Sequence, residues 1–311
     1  MQERDHGGGL DAAIKRWGGT RTDWLDLSTG INPTPYPLPE FKAHCWGALP
    51  DKAAERALLD AARKFWNVPD EAEILAAPGA SSLIARMPML FEHGTVDIPK
   101  PTYNEHAAAF AAQGWNESTS SQVRVLVHPN NPTGQLWSRD DLNAPVIVID
   151  ESFCDVTPDH SMISEAGKPG RIILKSFGKF WGLAGLRLGF LIAEPKIIAK
   201  MRDMIGPWAV SGPALDVGTR ALLDHDWAEE TRINLRKDAA RLDGLMTKAT
   251  AELEGGCDLF RLYKVDNAQN WHDRFAEHKI LTRIFPYSDT FIRLGFPPQN
   301  GWEQLINCLD T

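Results

Sequence analysis

Five short apolar runs, each followed by a turn or a polar residue, constrain the fold of this chain more than any other feature. They read EILAAPG, GTVDIPKP, VRVLVHP, VIVIDES and RIILKSF, and segments of helical periodicity separate them. Their apolar cores are rich in Val, Ile and Leu, which is typical of strands buried on both faces of a sheet. The alternation predicts an α/β fold built on a mostly parallel sheet.

The flanking segments predict the remaining organisation. Residues 1–40 are rich in Gly and Pro and predict an extended N-terminal arm, not a packed element. Apolar residues recur at helical spacing from Ala53 to Trp66, which predicts a helix. From Pro195 to about Glu254 the pattern is mainly helical, and its long charged part predicts a helix that bridges two domains.

A chain of 311 residues is long enough for a large and a smaller domain. We predict an arm over 1–40, a large domain over 41–210, and a small α+β domain over 211–311 that includes part of the arm. In the small domain, CDLFRLYKV and TFIRLGF predict strands, and NWHDRFAEHK predicts a helix between them.

The net charge and the cysteine spacing limit the classes of ligand and partner that this chain can bind. The net charge of -8 argues against nucleic acids and anionic membranes, which require a basic face. An anionic small molecule must therefore be held by a few local cations. The four cysteines lack the spacing of a zinc site or a disulfide framework. No signal peptide or membrane span is evident, so we expect a cytoplasmic protein that binds no metal.

Distinctive residues follow the first four apolar runs, where ligands bind in open α/β sheets. Residues 79–82, GASS, could offer backbone N–H groups to a phosphate, although such a turn is more often a simple helix cap. Tyr103 could lie against a planar ring or merely pack, and Asn131 could donate from its amide or merely form a turn. Asp150 closes a buried strand, where a carboxylate needs a cation or several donors.

The fifth run leads into the most specific segment, SFGKFWGLAGLRLGF. An ammonium is costly in so apolar a setting, which suits Lys179 to reaction as a neutral amine. Ser176 precedes it by three residues and Arg187 follows it by eight. This segment resembles the cofactor-lysine motif of fold-type I aminotransferases, which use pyridoxal 5'-phosphate (PLP). The other four strand-end motifs follow the same family order.

The resemblance implies the aspartate-aminotransferase fold, PLP as cofactor, and roles for the motif residues. Lys179, Asp150 and Tyr103 would be catalytic: Lys179 would carry PLP, Asp150 would pair with its ring nitrogen, and Tyr103 would stack on the ring. The remaining cofactor contacts would come from Gly79, Ala80, Ser81, Asn131, Ser176 and Arg187. Arg293, in TFIRLGFP, would bind the substrate carboxylate, with a solvated strand charge as the alternative.

Two positions depart from the family pattern. Phe153 stands where many relatives have a tyrosine that bonds to the ring oxygen. Leu49, in WGALPD, stands where relatives often have a tyrosine that reaches the cofactor of the neighbouring subunit. The resemblance still implies a homodimer.

The cofactor motifs do not name the reaction, because PLP assists cleavage of any bond at the substrate Cα. His6 in HGG and Asn32 in LDLSTGINP resemble the arm of the group containing L-threonine-O-3-phosphate decarboxylase of cobalamin biosynthesis and histidinol-phosphate aminotransferase. This resemblance implies decarboxylation of L-threonine O-3-phosphate to (R)-1-amino-2-propanol O-2-phosphate. Transamination of histidinol phosphate or a related amino acid with 2-oxoglutarate is the alternative, and a catalytically silent PLP-binding protein is a third possibility.

A phosphorylated amino acid requires cations or donors beyond Arg293. Arg283 is one candidate, and the alternative is that it forms an ordinary surface or interdomain salt bridge. His6 and Asn32 are further candidates. The alternatives are that HGG is a flexible terminus and that the Asn-Pro pair forms an ordinary turn.

Overall fold

The computed structural model describes residues 6–41 and 43–310. Its helices, α1 to α10 in chain order, are Leu10–Trp17, His44–Gly47, Lys52–Trp66, Ala80–Arg86, Asn104–Ala112, Pro195–Ile205, Gly212–Leu223, His225–Lys248, Ala268–Glu277 and Trp302–Asp310. Its strands, β1 to β13, are Leu25–Asp26, Glu73–Ala77, Thr95–Asp97, Asn116–Glu117, Val123–Val127, Val146–Asp150, Arg171–Ser176, Gly189–Ala193, Glu252–Cys257, Phe260–Lys264, Ile280–Leu281, Arg283–Phe285 and Ser288–Leu294.

The chain divides into two units, and the larger, Pro35–Asn131 with Leu136–Glu229, contains a seven-stranded sheet. The strand order is β2-β8-β7-β6-β5-β3-β4. β8 runs antiparallel to both of its neighbours, and the other strand pairs are parallel. Each of the five apolar runs forms a strand of this sheet, which confirms the prediction of a mostly parallel α/β fold.

Helices cover both faces of this sheet. One face packs on α4, α5 and α6 through a core that includes Leu83, Phe110 and Ile198. On the other face, Trp66 of α3 packs edge-on against Phe190 of β8, with ring centroids 5.0 Å apart. Burial on both sides explains why these strands are continuously apolar.

Local sequence determines where α3 begins and ends. Asp51 caps its first turn by accepting a hydrogen bond from the backbone N–H of Ala54 at 2.8 Å. Asn67 ends it in the left-handed conformation with φ of 51°. The helix predicted between Ala53 and Trp66 is therefore confirmed. Among the described residues, no helix combines the length and apolar character of a membrane span.

The smaller unit comprises the described residues through Thr34, Pro132–Gln135, and those from Glu230 onward. Its antiparallel sheet has the order β12-β13-β10-β9, and β1 pairs in parallel with β11. The carboxylate of Asp243, on α8, accepts hydrogen bonds from Arg261 at 2.6 Å and from the Tyr263 hydroxyl at 2.7 Å. These bonds attach the C-terminal part of α8 to β10.

Two local predictions for this unit are wrong. The arm is not wholly extended, because Leu10–Trp17 form α1, whose apolar side packs against Trp24, Ala276 and Leu281. Burial of that helical face outweighs the preference of the flanking glycines for an extended arm. The segment CDLFRLYKV is not one strand: β9 ends at Cys257, a tight turn follows, and β10 begins at Phe260.

Candidate active site

The predicted cofactor residues of the larger unit follow strands that end at one edge of the sheet. β2, β3, β5, β6 and β7 all point the same way, so their carboxyl ends share that edge. β8 runs in the opposite direction and begins at Gly189, which pairs with Ser176. The edge thus collects the segments that carry Gly79, Tyr103, Asn131, Asp150, Lys179 and Arg187.

Asp150 is a buried carboxylate with a partner on each oxygen. It is 2% exposed. His106 Nε2 donates to Oδ2 at 2.8 Å, while the Ser152 hydroxyl and backbone N–H donate to Oδ1 at 2.5 and 3.0 Å. Burial alone would raise the pKa of Asp150, but the hydrogen bonds from His106 and Ser152 bring it below its ordinary value. This side chain is therefore a charged acceptor at neutral pH.

Asn130 connects the segments that carry Tyr103 and Asn131. Its amide nitrogen donates to the backbone oxygen of Pro101 at 2.9 Å, and its oxygen accepts from the Thr102 hydroxyl at 2.6 Å. Tyr103, half-buried, precedes α5 and packs against the core of that face. These bonds hold Tyr103 and Asn131 on adjoining segments, although their contacts to a cofactor remain predictions.

Gly79 and Arg187 form a cradle with the composition of a phosphate site, and Ser176 ends β7, the strand that pairs with β8. The Arg187 guanidinium lies so close to Gly79 that a Cβ on that glycine would stand 2.5 Å from Nη2. Gly79 has φ of 84°, a conformation that favours glycine. Ala80 and Ser81 supply the first backbone N–H groups of α4. A guanidinium and several such donors suit a phosphate dianion.

Lys179 lies in the turn that follows β7 and is half-buried. Its Nζ is 5.3 Å from the centroid of the Phe153 ring. Phe153, which stands where the family pattern has a tyrosine, is therefore an aromatic neighbour of the amine. Together the chain presents an amine, a buried charged carboxylate and the Gly79 cradle on segments that meet at one edge of the sheet, and their individual roles toward PLP are predictions. The donor set fits this cofactor.

In the smaller unit, the two arginines predicted to bind substrate are direct cross-strand neighbours. Arg283 on β12 pairs with Arg293 on β13. Arg293 is 5% exposed and donates from Nη2 to the backbone oxygen of Ser28 at 2.6 Å. Burial and the charge of Arg283 lower the pKa of Arg293 to about 10. Because like charges across strands repel, this pair favours binding of an anion.

The HGG segment lies against the same serine. Gly8 donates its N–H to Ser28 Oγ at 2.7 Å, and a Cβ on Gly7 would stand 2.4 Å from the Ser28 backbone oxygen. His6, directly before this contact, is exposed. Asn32 is buried, and its side-chain oxygen accepts the N–H of Thr34 at 2.9 Å, which is an ordinary turn bond. The substrate roles of both residues remain predictions.

Sequence reasoning missed His106. It lies on α5, three residues after Tyr103, and the two rings meet edge-to-face with their centroids 6.1 Å apart. The available signal was a histidine directly before the apolar run AAAFAA, since a histidine on an apolar helix needs a polar partner.

Comparisons with known proteins indicate the family and the fold of the chain. A family model described as "Aminotransferase class I and II" matches residues 115–265. The chain is similar to a threonine-phosphate decarboxylase of Sinorhizobium sp, with 36% identity over 97% of this chain and 96% of that protein. A threonine-phosphate decarboxylase of Pseudomonas aeruginosa is 34% identical over 98% and 97% of the two chains. In fold, the crystal structure of histidinol-phosphate aminotransferase from Sinorhizobium meliloti in complex with pyridoxal-5'-phosphate matches with a TM-score of 0.80, at 17% identity over 97% and 94% of the chains.

Proposed function

We propose that this chain, which belongs to the aminotransferase class I and II family of PLP-dependent enzymes, decarboxylates L-threonine O-3-phosphate to (R)-1-amino-2-propanol O-2-phosphate. The near-full-length similarity to two threonine-phosphate decarboxylases carries this proposal. The pairing of Arg283 with Arg293 supports the same class of substrate, because a phosphorylated amino acid presents two anionic groups.

When bound, PLP supplies an electron sink for the electron pair left at Cα after a bond to that atom breaks. The Asp150 carboxylate would hold a proton on the ring nitrogen and so keep the ring electron-deficient. Arg187, the Ser176 hydroxyl and the backbone N–H groups at the start of α4 would bind the phosphate. Asn131 would donate its amide hydrogen to the ring oxygen, and Tyr103 would pack on the ring face.

Lys179 and Arg293 act on the substrate. Arg293 binds and orients the α-carboxylate, and orientation relative to the ring selects the bond that breaks. In decarboxylation the bond between Cα and the carboxylate breaks, CO2 departs, and the Lys179 ammonium delivers a proton to Cα. Arg283, His6 and Asn32 bind the substrate phosphate in this proposal.

The test follows two products from the PLP-loaded protein. One reaction contains L-threonine O-3-phosphate, the other histidinol phosphate with 2-oxoglutarate, and a Lys179→Ala variant controls for reaction with free PLP. We expect CO2 from the first reaction without glutamate from the second. Glutamate without CO2 would contradict the proposal and favour the aminotransferase.

We also infer that the chain is a cytoplasmic homodimer. Leu38, Trp46 and Leu49 are 61%, 69% and 67% exposed within a short segment of the larger unit. Several large apolar side chains at one surface are typical of a protein interface. Buried thiols such as those of Cys154 and Cys257 fit a reducing compartment.

A further inference from the structure

A buried ionic cluster, here called the Lys175 cluster, consists of Glu151, Asp155 and Lys175 in the larger unit. Lys175 Nζ is 2.6 Å from Glu151 Oε2 and 3.4 Å from Asp155 Oδ1. The three residues are 1%, 4% and 1% exposed. Taking charges out of water is expensive, and an apolar replacement is often as stable as a buried ion pair. A contribution to stability alone is therefore a weak explanation for the cluster.

The carboxylates of the cluster have further bonds that fix them in place. Glu151 accepts from the Ser161 hydroxyl at 2.7 Å and from the Met162 backbone N–H at 2.6 Å. Asp155 accepts from Trp66 Nε1 at 2.9 Å. The segment from Glu151 to Met162 is thereby tied to Lys175 and to α3 at several points.

The ammonium of Lys175 is held charged by these neighbours. Burial alone would lower the pKa of Lys175, but the charges of Glu151 and Asp155 raise it above its ordinary value. Its Nζ also lies 5.5 Å from the centroid of the Trp66 ring. Lys175 is thus a fixed cation at neutral pH, unsuited to reaction as an amine.

Strand alternation places the cluster on the face of the sheet opposite to His106. Asp150 bonds to His106 on α5, whereas the next residue, Glu151, bonds to Lys175, which lies against Trp66 on α3. The chain at the carboxyl end of β6 is therefore held from both faces at consecutive residues.

We propose that Glu151 and Lys175 are a positioning pair that sets the spacing between the two anchor points of the cofactor. Glu151 directly follows Asp150, and Lys175 directly precedes Ser176. Asp150 is the proposed partner of the ring nitrogen, and Ser176 is a proposed phosphate ligand. The 2.6 Å contact between Glu151 and Lys175 therefore links the residues adjacent to these two groups. The inference rests on the proposed cofactor roles of Asp150 and Ser176, and it is independent of the substrate.

The test compares a Glu151→Gln/Lys175→Met double variant with Lys175→Arg, which retains the cation. Lys168→Met is the matched control, because Lys168 forms a 2.8 Å ion pair with Glu165 but is itself exposed. Two properties of the PLP-loaded proteins are measured: the rate of PLP release, and the pH titration of the visible absorbance of bound PLP. Far-UV circular dichroism and thermal unfolding of the PLP-free proteins report folding.

We expect the folded double variant to release PLP about tenfold faster or more and to show a displaced titration, since small misplacements of reacting groups have large effects. Lys175→Arg should restore most of the wild-type behaviour, and Lys168→Met should match the wild type. A folded double variant with wild-type release and titration would overturn the proposal. If the double variant does not fold, Glu151→Asp, which keeps the charge but shortens the side chain, serves for the same comparison. No substrate is used, so failure to decarboxylate L-threonine O-3-phosphate would leave these readouts unaffected.

Discussion

Asp150 shows how individual contacts determine the charge available to a cofactor. Its native pKa lies below the ordinary value of 3.8, so the folded chain binds this proton less tightly than the unfolded chain does. The resulting stability is fully present above the ordinary pKa and is lost as the pH falls through the lower native pKa. The hydrogen bonds that keep Asp150 charged, as its proposed role at the ring nitrogen requires, also stabilise the fold.

Replacing His106 with Phe should weaken both effects. A hydrogen bond to a charged group contributes about 1.5–3 kcal/mol, so PLP affinity should fall roughly ten- to a hundredfold. Acid unfolding of the PLP-free variant should begin at a higher pH, because the pKa of Asp150 rises. Equilibrium PLP titration and acid unfolding measure these changes, with the exposed His93→Gln as control. Wild-type affinity together with a wild-type acid midpoint would exclude this role of His106.

Arg283→Gln should separate substrate recognition from folding. Loss of a charged hydrogen bond to the substrate phosphate should raise KM for L-threonine O-3-phosphate about tenfold or more while kcat changes little. Thermal stability should be unchanged or higher, because the substitution removes the like charge opposite Arg293. Arg236→Gln, at an exposed arginine of the same unit, is the control. An unchanged KM would assign Arg283 to another role.

The sequence singles out Lys179, Ser176 and Arg187 as candidates because they lie on one short segment with characteristic spacing, and their cofactor roles stay predictions. It could not place Arg283 opposite Arg293, since that register depends on a bulge between Ile284 and Phe285. The pairing of residues distant in sequence is decided by the fold, and the same holds for the contact between Glu151 and Lys175.

Among the structural elements, the turn between β2 and α4 requires a glycine at position 79. A Cβ at Gly79 meets both an unfavourable φ and the Arg187 guanidinium. Gly79→Ala should therefore displace Arg187 and reduce PLP affinity by about tenfold or more. Backbone strain should also lower the free energy of unfolding by about 1–2 kcal/mol. Gly185→Ala is the control, because nothing lies within 4 Å of its added Cβ. Equal PLP affinities for the two variants would argue against the cradle.

The elements of the larger unit were more predictable than those of the smaller one. Strands buried on both faces leave long apolar runs, whereas α1 shows only Leu10, Ala13, Ile14 and Trp17 at helical spacing between two glycine-rich stretches. The turn between β9 and β10 has no Gly or Pro at its centre, so the sequence read as one continuous strand.

At the scale of the whole molecule, the exposed segment with Leu38, Trp46 and Leu49 predicts self-association. The wild-type protein should sediment as a dimer at micromolar concentration. A Trp46→Ser/Leu49→Ser variant should shift toward monomer, because it removes apolar area from the proposed interface. Leu253→Ser, at an exposed leucine of the smaller unit, should leave the dimer intact. A wild-type monomer would exclude the homodimer.

We propose that this PLP-dependent enzyme carries its cofactor on Lys179, although another lysine, Lys175, lies four residues earlier in the same segment. The most direct test is borohydride reduction of the PLP-loaded protein, followed by proteolysis and mass spectrometry of the peptide that contains both lysines. We expect the reduced cofactor on Lys179, since Lys175 is buried and paired with Glu151. Attachment to Lys175, or an unmodified peptide, would contradict it.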